Sequence, residues 1–162
     1  MSQEEQTVEK LYRSFAKGDY EGMKSCYSNQ ATFSDPAFPS LKGEEVWSMW
    51  EMLIKRATSI DIKFSDIQKQ GGGVTAKWEA IYPFSKTGRQ VHNKINAEFQ
   101  FDSNGLIVSH KDTFDFWRWS GMALGPVGKL MGWSNWLRKK VQTEASKSLT
   151  SYMSKKSSDR TP

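Results

Sequence analysis

The sequence predicts an α+β fold in which short amphipathic helices precede a meandering antiparallel sheet and a last helix ends the chain. Three observations predict it. Apolar residues recur at helical spacing up to residue 58. From residue 60 the spacing changes to strict alternation over long segments, and Gly- or Asn-centred turns separate those segments. At 162 residues the chain has the size of one domain, assigned to residues 1–153.

Val8, Leu11, Tyr12 and Phe15 share one face of a first helix, which Gly18 stops. Asp19 caps a second, short helix carrying Met23, Cys26 and Tyr27, and Asn29 ends it. A short strand over 31–35 follows. Gly43-Glu-Glu opens a third helix with acids in its first turn, where the helix dipole favours them. Its stripe of Val46, Trp47, Met49, Trp50, Leu53 and Ile54 is broad enough to lie across a sheet.

Ile60, Ile62, Phe64 and Ile67 mark the first long strand, and Gly71-Gly-Gly73 turns the chain. Val74–Phe84 is the second, with Trp78, Ala80 and Tyr82 on one face and Lys77, Glu79 and Ile81 on the other. Ser85–Gly88 turns into Arg89–Phe101, and Asp102–Gly105 into Leu106–Trp119. Glycines then punctuate 121–132, and Ser134 caps a helix over 134–153 with Trp136, Leu137, Val141, Ala145, Leu149 and Tyr152 along one side. Residues 154–162 read as a disordered tail.

Hydrophobic content is 37%, but 7 Trp, 9 Phe and 5 Tyr supply bulky core surface. A lone cysteine, Cys26, excludes an internal disulfide and a multi-cysteine zinc site. No apolar run reaches the roughly 20 residues that span a bilayer, and neither end has a signal-peptide pattern, so the expected location is cytoplasmic. The net charge of +5 is uneven: residues 126–162 carry eight Lys/Arg against Glu144 and Asp159. The rest of the chain is close to neutral, so the excess reads as a solvated helix face rather than a nucleic-acid groove. Its lysines 139, 140 and 147 form that face, with Trp136, Leu137 and Val141 covering the body and no stable membrane association.

The chemically pointed stretch is Ala31–Gly43. Alternation delivers Phe33 and Asp35 to one face, and Pro36 forbids the strand from continuing, so Asp35 stops at the strand's mouth between Phe33 and Phe38. A carboxylate held against aromatic walls has its pKa raised toward the range of a general base; a turn-capping Asp-Pro is the competing reading. On the last strand His110, Asp112 and Phe114 share a face, and two such groups two residues apart can form an acid/base pair; a satisfied, half-buried histidine is the competing reading of His110. On the preceding strand Asn93, Ile95 and Ala97 accompany them inward, while His92, Lys94, Asn96 and Glu98 face out.

The order helix–helix–strand–helix and then four antiparallel strands resembles the nuclear transport factor 2-like superfamily. Gly18-Asp19-x-Glu21-x5-Tyr27-x3-Ala31-Thr32-x2-Asp35-Pro36 is similar to ketosteroid isomerases, with Asp35 at their proton-abstracting aspartate. Thr87-Gly88 through Asp112-Thr-Phe-Asp115 resembles the limonene-epoxide hydrolase and SnoaL-type polyketide cyclase branches. The resemblance implies a cone: a curved antiparallel sheet of mainly four long strands plus one short strand, wrapped around N-terminal helices, with an added C-terminal helix. It also implies departures. Ala97 stands where the isomerases carry a protonated aspartate, and their tyrosine position falls on Leu11, one residue from Tyr12. The hydrolases' Arg-x-Asp and second aspartate correspond to Lys77-Trp78-Glu79 and Asp112, and the tyrosine and asparagine that hold their water to Phe33 and Asp35.

The expected function is cofactor-independent, metal-free acid/base chemistry of isomerase, cyclase or hydrolase type on a small lipophilic molecule. Asp35, His110 and Asp112 are the catalytic candidates, and Phe33, Lys77, Glu79, Asn93 and Phe114 line the pocket. The superfamily's habit implies a homodimer through the outer sheet face. The alternative is a non-catalytic ligand-binding or dimerisation module of the same shape.

Overall fold

A computed structural model describes residues 1–160. The elements run α1 (Gln3–Ala16), α2 (Tyr20–Lys24), β1 (Tyr27–Ser34), β2 (Leu41–Lys42), α3 (Glu44–Arg56), β3 (Asp61–Gln70), β4 (Gly73–Pro83), β5 (Gln90–Phe101), β6 (Ile107–Thr113), α4 (Phe116–Leu124), α5 (Pro126–Met131) and α6 (Asn135–Asp159). Six strands form one curved, unclosed sheet in the order β2-β1-β6-β5-β4-β3. This is the α+β cone that the sequence implied.

The helix ends follow local chemistry. Ser2 and Glu5 form a reciprocal capping box at α1: the Glu5 amide donates to Ser2 Oγ, and the Ser2 amide to Glu5 Oε2 at 2.7 Å. Gly18 stops the chain in the left-handed region at φ 71°, and the Gly22 amide donates to Asp19 at 2.9 Å. Val8, Leu11, Tyr12 and Phe15 are all buried beneath α1, as their spacing required.

Strands β3 to β6 pair antiparallel, with Trp78 opposite Ile95, Ala80 opposite Asn93, Ala97 opposite Asp112 and Phe99 opposite His110. β1 differs from expectation. It begins at Tyr27 rather than residue 31, and it runs parallel to β6, with Phe33 beside His110 and Ser34 beside Lys111. The extension has a tertiary cause: the Ile107 amide donates to the Cys26 carbonyl at 2.9 Å, drawing Tyr27 into the sheet.

Past residue 113 the structure corrects the sequence reading. β6 ends at Thr113 because Asp115 caps α4, accepting from the Arg118 amide at 3.0 Å. The glycine-punctuated segment is the helical pair α4 and α5, in close contact. A Cβ on Gly128 would collide with the Ser120 carbonyl. Gly128→Ala should therefore destabilise by about 1–3 kcal/mol, the cost of overpacking a tight contact, measurable as a lower urea midpoint. A variant as stable as the parent would refute this packing.

Helix α6 carries a second correction: residues 154–159 are helical rather than a disordered tail. Ion pairs back to α3 explain it, Lys156 Nζ to Glu51 at 2.6 Å and Arg160 to Glu44 at 3.8 Å, with Arg56 over the Tyr152 ring. Residues 161–162 lie outside the described residues. The first half of α6 buries Leu137 against the body and reaches the loop after β1, where Gln142 Nε2 donates to the Pro36 carbonyl at 3.1 Å. Trp136, expected to cover the body, is exposed instead. No described helix is long and apolar enough to cross a membrane.

Candidate active site

The concave face of the sheet brings Asp35, His110 and Asp112 together. Phe33 and His110 are paired across β1 and β6. In a parallel pair the next inward positions are Asp35 and Asp112, on strands roughly 5 Å apart. β1 ends at Ser34, one residue before Asp35, and the two carboxyls are near enough for the Asp112 charge to act on Asp35.

Asp112 is buried within a polar chain that crosses the core. His110 Nε2 lies 2.8 Å from Asp112 Oδ1, and Trp78 Nε1 donates to the same oxygen at 3.3 Å. His110 Nδ1 lies 2.8 Å from the Tyr27 hydroxyl, which accepts from Trp50 Nε1 at 3.0 Å. One neutral tautomer satisfies every bond: Nε2–H donates to Asp112, and Nδ1 accepts from Tyr27. The imidazole is enclosed by Phe99, Phe33, Trp50 and Tyr27, with the nearest ring centroids at 4.3 and 4.9 Å. Both its nitrogens are used inside the core. His110 thus orients Asp112 and has no free nitrogen to offer a substrate.

Asp35 is held differently. One oxygen, Oδ1, accepts from the amides of Ala37 at 2.7 Å and Phe38 at 2.6 Å, a turn made by the Asp-Pro sequence. The capping and held-base readings of Asp35 are one geometry: the loop pins Oδ1 and leaves Oδ2 without a loop partner. Burial pushes the Asp35 carboxyl up to about 7, with the Asp112 charge adding to the rise and the two amides opposing it.

Tyr12 completes the set. Its hydroxyl is fully buried and has no hydrogen-bond partner among the described residues, and burial with the nearby Asp112 charge pushes its pKa well up. The sequence comparison put the isomerases' tyrosine at Leu11; both Leu11 and Tyr12 are buried, and the ring of Tyr12 packs beside Trp78. Tyr27, Trp50 and Trp78 were also unrecognised as site residues. The available signal was their polar handles: a Tyr hydroxyl or Trp N–H in a core needs a partner, and inward histidine and aspartate supply it.

Two expected lining residues are misplaced. Lys77 and Glu79 lie on the outer face, Lys77 paired with Asp66 at 3.1 Å and Glu79 3.0 Å from His92 Nε2. The alternation that points Trp78 and Ala80 inward forces them out. Asn93 is buried on the concave face, Phe33 is core, and Phe114 is half-buried between the two apolar clusters. The hollow expected between the aspartates is largely occupied by rings, with Tyr12, Phe15, Phe33, Trp50 and Trp78 mutually packed. A cavity of about 730 Å³ opens elsewhere, between the start of β5 and the α4–α5 pair. No His, Cys, Asp or Glu group among the described residues has the arrangement to hold a metal ion.

The architecture has known counterparts. An epoxide hydrolase of limonene-epoxide-hydrolase type from M. tuberculosis aligns with a TM-score of 0.63 at 16% identity, over 79% of this chain and 95% of that one. Bal32a, from a soil-derived mobile gene cassette, gives 0.65 at 17% identity over 74% and 95%. TerC, crystallised with polyporic acid, gives 0.59 at 14% identity over 70% and 92%. At these identities the likeness is one of fold. No curated protein sequence matches. The SnoaL-like domain model matches residues 8–110, more than half of the chain. The chain belongs to the SnoaL-like family of the nuclear transport factor 2-like superfamily.

Proposed function

We propose that the protein is a cofactor-independent acid/base enzyme acting on a small lipophilic molecule at the Asp35 end of the cone. The observation that carries this is the carboxyl pair: Asp35, raised to about 7, beside an Asp112 fixed by His110 and Trp78. A base whose pKa lies near neutrality combines the ionised form with proton affinity. Asp35 takes the proton through Oδ2. Asp112 is the second acid/base group, and His110, Tyr27 and Trp50 are positioning residues. Tyr12 is the free donor for oxygen charge developing on the substrate. Phe33, Asn93 and Phe114 shape the site. The same reaction class covers isomerisation, cyclisation and water addition, and a second copy of the chain is assigned to the outer sheet face.

The test is proton exchange. Lipophilic cyclic ketones in D2O are followed by NMR for exchange of their α-protons, and lipophilic epoxides for diol formation. Asp35→Asn should lower the rate by about 10²–10⁴, the usual contribution of a general base. Tyr12→Phe should lower kcat while leaving the melting temperature unchanged or raised, because the lost hydroxyl has no partner. A substrate turned over equally by wild type and Asp35→Asn would defeat the assignment.

One observation favours a non-catalytic ligand-binding module: Asp35 Oδ1 is consumed by two amides while rings fill the interior. Ligand binding without exchange or diol formation in either panel would select that reading.

A further inference from the structure

The α4–α5 pair and the start of α6 present an apolar surface that no other described residue covers. Leu130 is 72% exposed, Trp133 67% and Trp136 58%, and Trp117 and Val127 are each more than half exposed. Trp117 and Trp133 are tied to α5. Val127, Leu130 and Met131 share the outer face of α5, opposite Gly128. The Trp133 indole donates to the Leu130 carbonyl at 2.8 Å, and the Trp117 indole to the Lys129 carbonyl at 3.0 Å. The Trp117 ring also lies against Gly132.

Cations rim this surface. Lys140 stands over the Trp136 ring at 5.2 Å, Arg138 over Phe116 at 5.2 Å, and Lys139 is exposed between them. The cavity of about 730 Å³ opens at the same edge, with Arg89, Arg118 and Lys129 around Trp117 and Met122. Arg89 Nε donates to the Met122 carbonyl and Arg118 to the His92 carbonyl, each at 2.9 Å. Among the described residues none of these three cations has a carboxylate partner within ion-pair distance. Asp115 lines the cleft, but its Oδ1 serves the Arg118 amide.

We propose that this face docks on an anionic lipid membrane. The α5 face, Trp133 and Trp136 enter the acyl–headgroup boundary, and Arg89, Arg118, Lys129 and Lys139 meet lipid phosphates. Three features of the surface select a membrane. Its apolar part is Trp, Leu, Val and Met, the set that partitions at a bilayer interface. The Trp117 and Trp133 N–H groups are already bonded within the chain, so their rings leave water without stranding a donor. Cations share α5 and α6 with the apolar side chains, among them Lys129, Lys139 and Lys140, which suits anionic headgroups above an acyl layer. The sequence reading of no stable membrane association rested on Trp136, Leu137 and Val141 covering the body; Leu137 is buried there, but Trp136 is exposed and left for another surface.

The test is co-sedimentation of the full chain with phosphatidylcholine vesicles containing about one-third phosphatidylserine, against pure phosphatidylcholine vesicles, near 0.1 M and 0.5 M salt. Binding is expected to the anionic vesicles and to weaken at high salt. The variant Leu130→Ser/Trp133→Ser/Trp136→Ser, at exposed positions, should lose at least ~10-fold in bound fraction. Lys139→Glu/Lys140→Glu should lose a similar factor, and Asp35→Asn should bind as wild type. Circular dichroism and melting curves establish that the variants are folded. The proposal is overturned if wild type stays in the supernatant with anionic vesicles, or if either patch variant pellets as well as wild type. It is equally overturned if the face holds a second copy, seen as a dimer that the triple serine variant dissociates without any vesicle binding.

Discussion

Asp35→Asn is expected to stabilise the protein above neutral pH while removing its chemistry. The folded-state pKa of Asp35, about 7, lies above the ordinary carboxyl value of 3.8. A group shifted in that direction contributes stability that is fully present below about pH 4 and is lost as the pH rises through about 7. Asparagine keeps an acceptor for the Ala37 and Phe38 amides and does not titrate. The difference between variant and wild type should therefore grow between pH 4 and 7, level off above, and reach on the order of 3 kcal/mol. Urea unfolding at pH 5, 6, 7 and 8 measures it. A pH-independent difference would mean that the carboxyl is hydrated like a surface aspartate. The expected sign, a site residue whose removal stabilises, is a mark of a group retained for function.

The largest loss is expected at Asp112. Asp112→Ala strands two buried donors, His110 Nε2–H and Trp78 Nε1–H, and should cost about 3–5 kcal/mol. Asp112→Asn retains one acceptor oxygen and should cost about half as much. The asparagine variant also removes the charge that helps raise Asp35, so the pH dependence described above should shrink in that background. Non-additivity of Asp35→Asn and Asp112→Asn in a double-mutant cycle reads the coupling directly. An Asp112→Ala variant within about 1 kcal/mol of wild type would show that water already reaches the polar chain.

The elements were legible where period and punctuation agree. Ser134 and Asp19 mark helix starts, Gly18 a helix end, and alternation from residue 60 gives four strands facing the correct way. The failures came where a tertiary contact decides. Nothing local says that Tyr27 leaves the α2 pattern to enter a strand; its hydroxyl bond to His110 spans 83 residues. The ion pairs of Lys156 and Arg160 with α3 likewise convert a polar, tail-like composition into nearly two more turns of helix. At the site, Asp35, His110 and Asp112 could be found because proline and alternation place them. Lys77 and Glu79 were drawn in by correspondence with another family's motif, against the alternation that sends them outward. The polar roles of Tyr12, Trp50 and Trp78 depend on what faces them across the core, which no spacing reveals.

The parallel seam between β1 and β6 has a kinetic consequence. Hairpins β3–β4 and β4–β5 form from neighbouring segments, but β1 reaches β6 only after the whole intervening chain has been looped around. That closure carries the heaviest entropy debt and the highest contact order of any strand pairing in the sheet. Asp35 and Asp112 flank this seam, so a nascent chain already rich in sheet lacks the proposed acid pair until its two distant strands are zipped together.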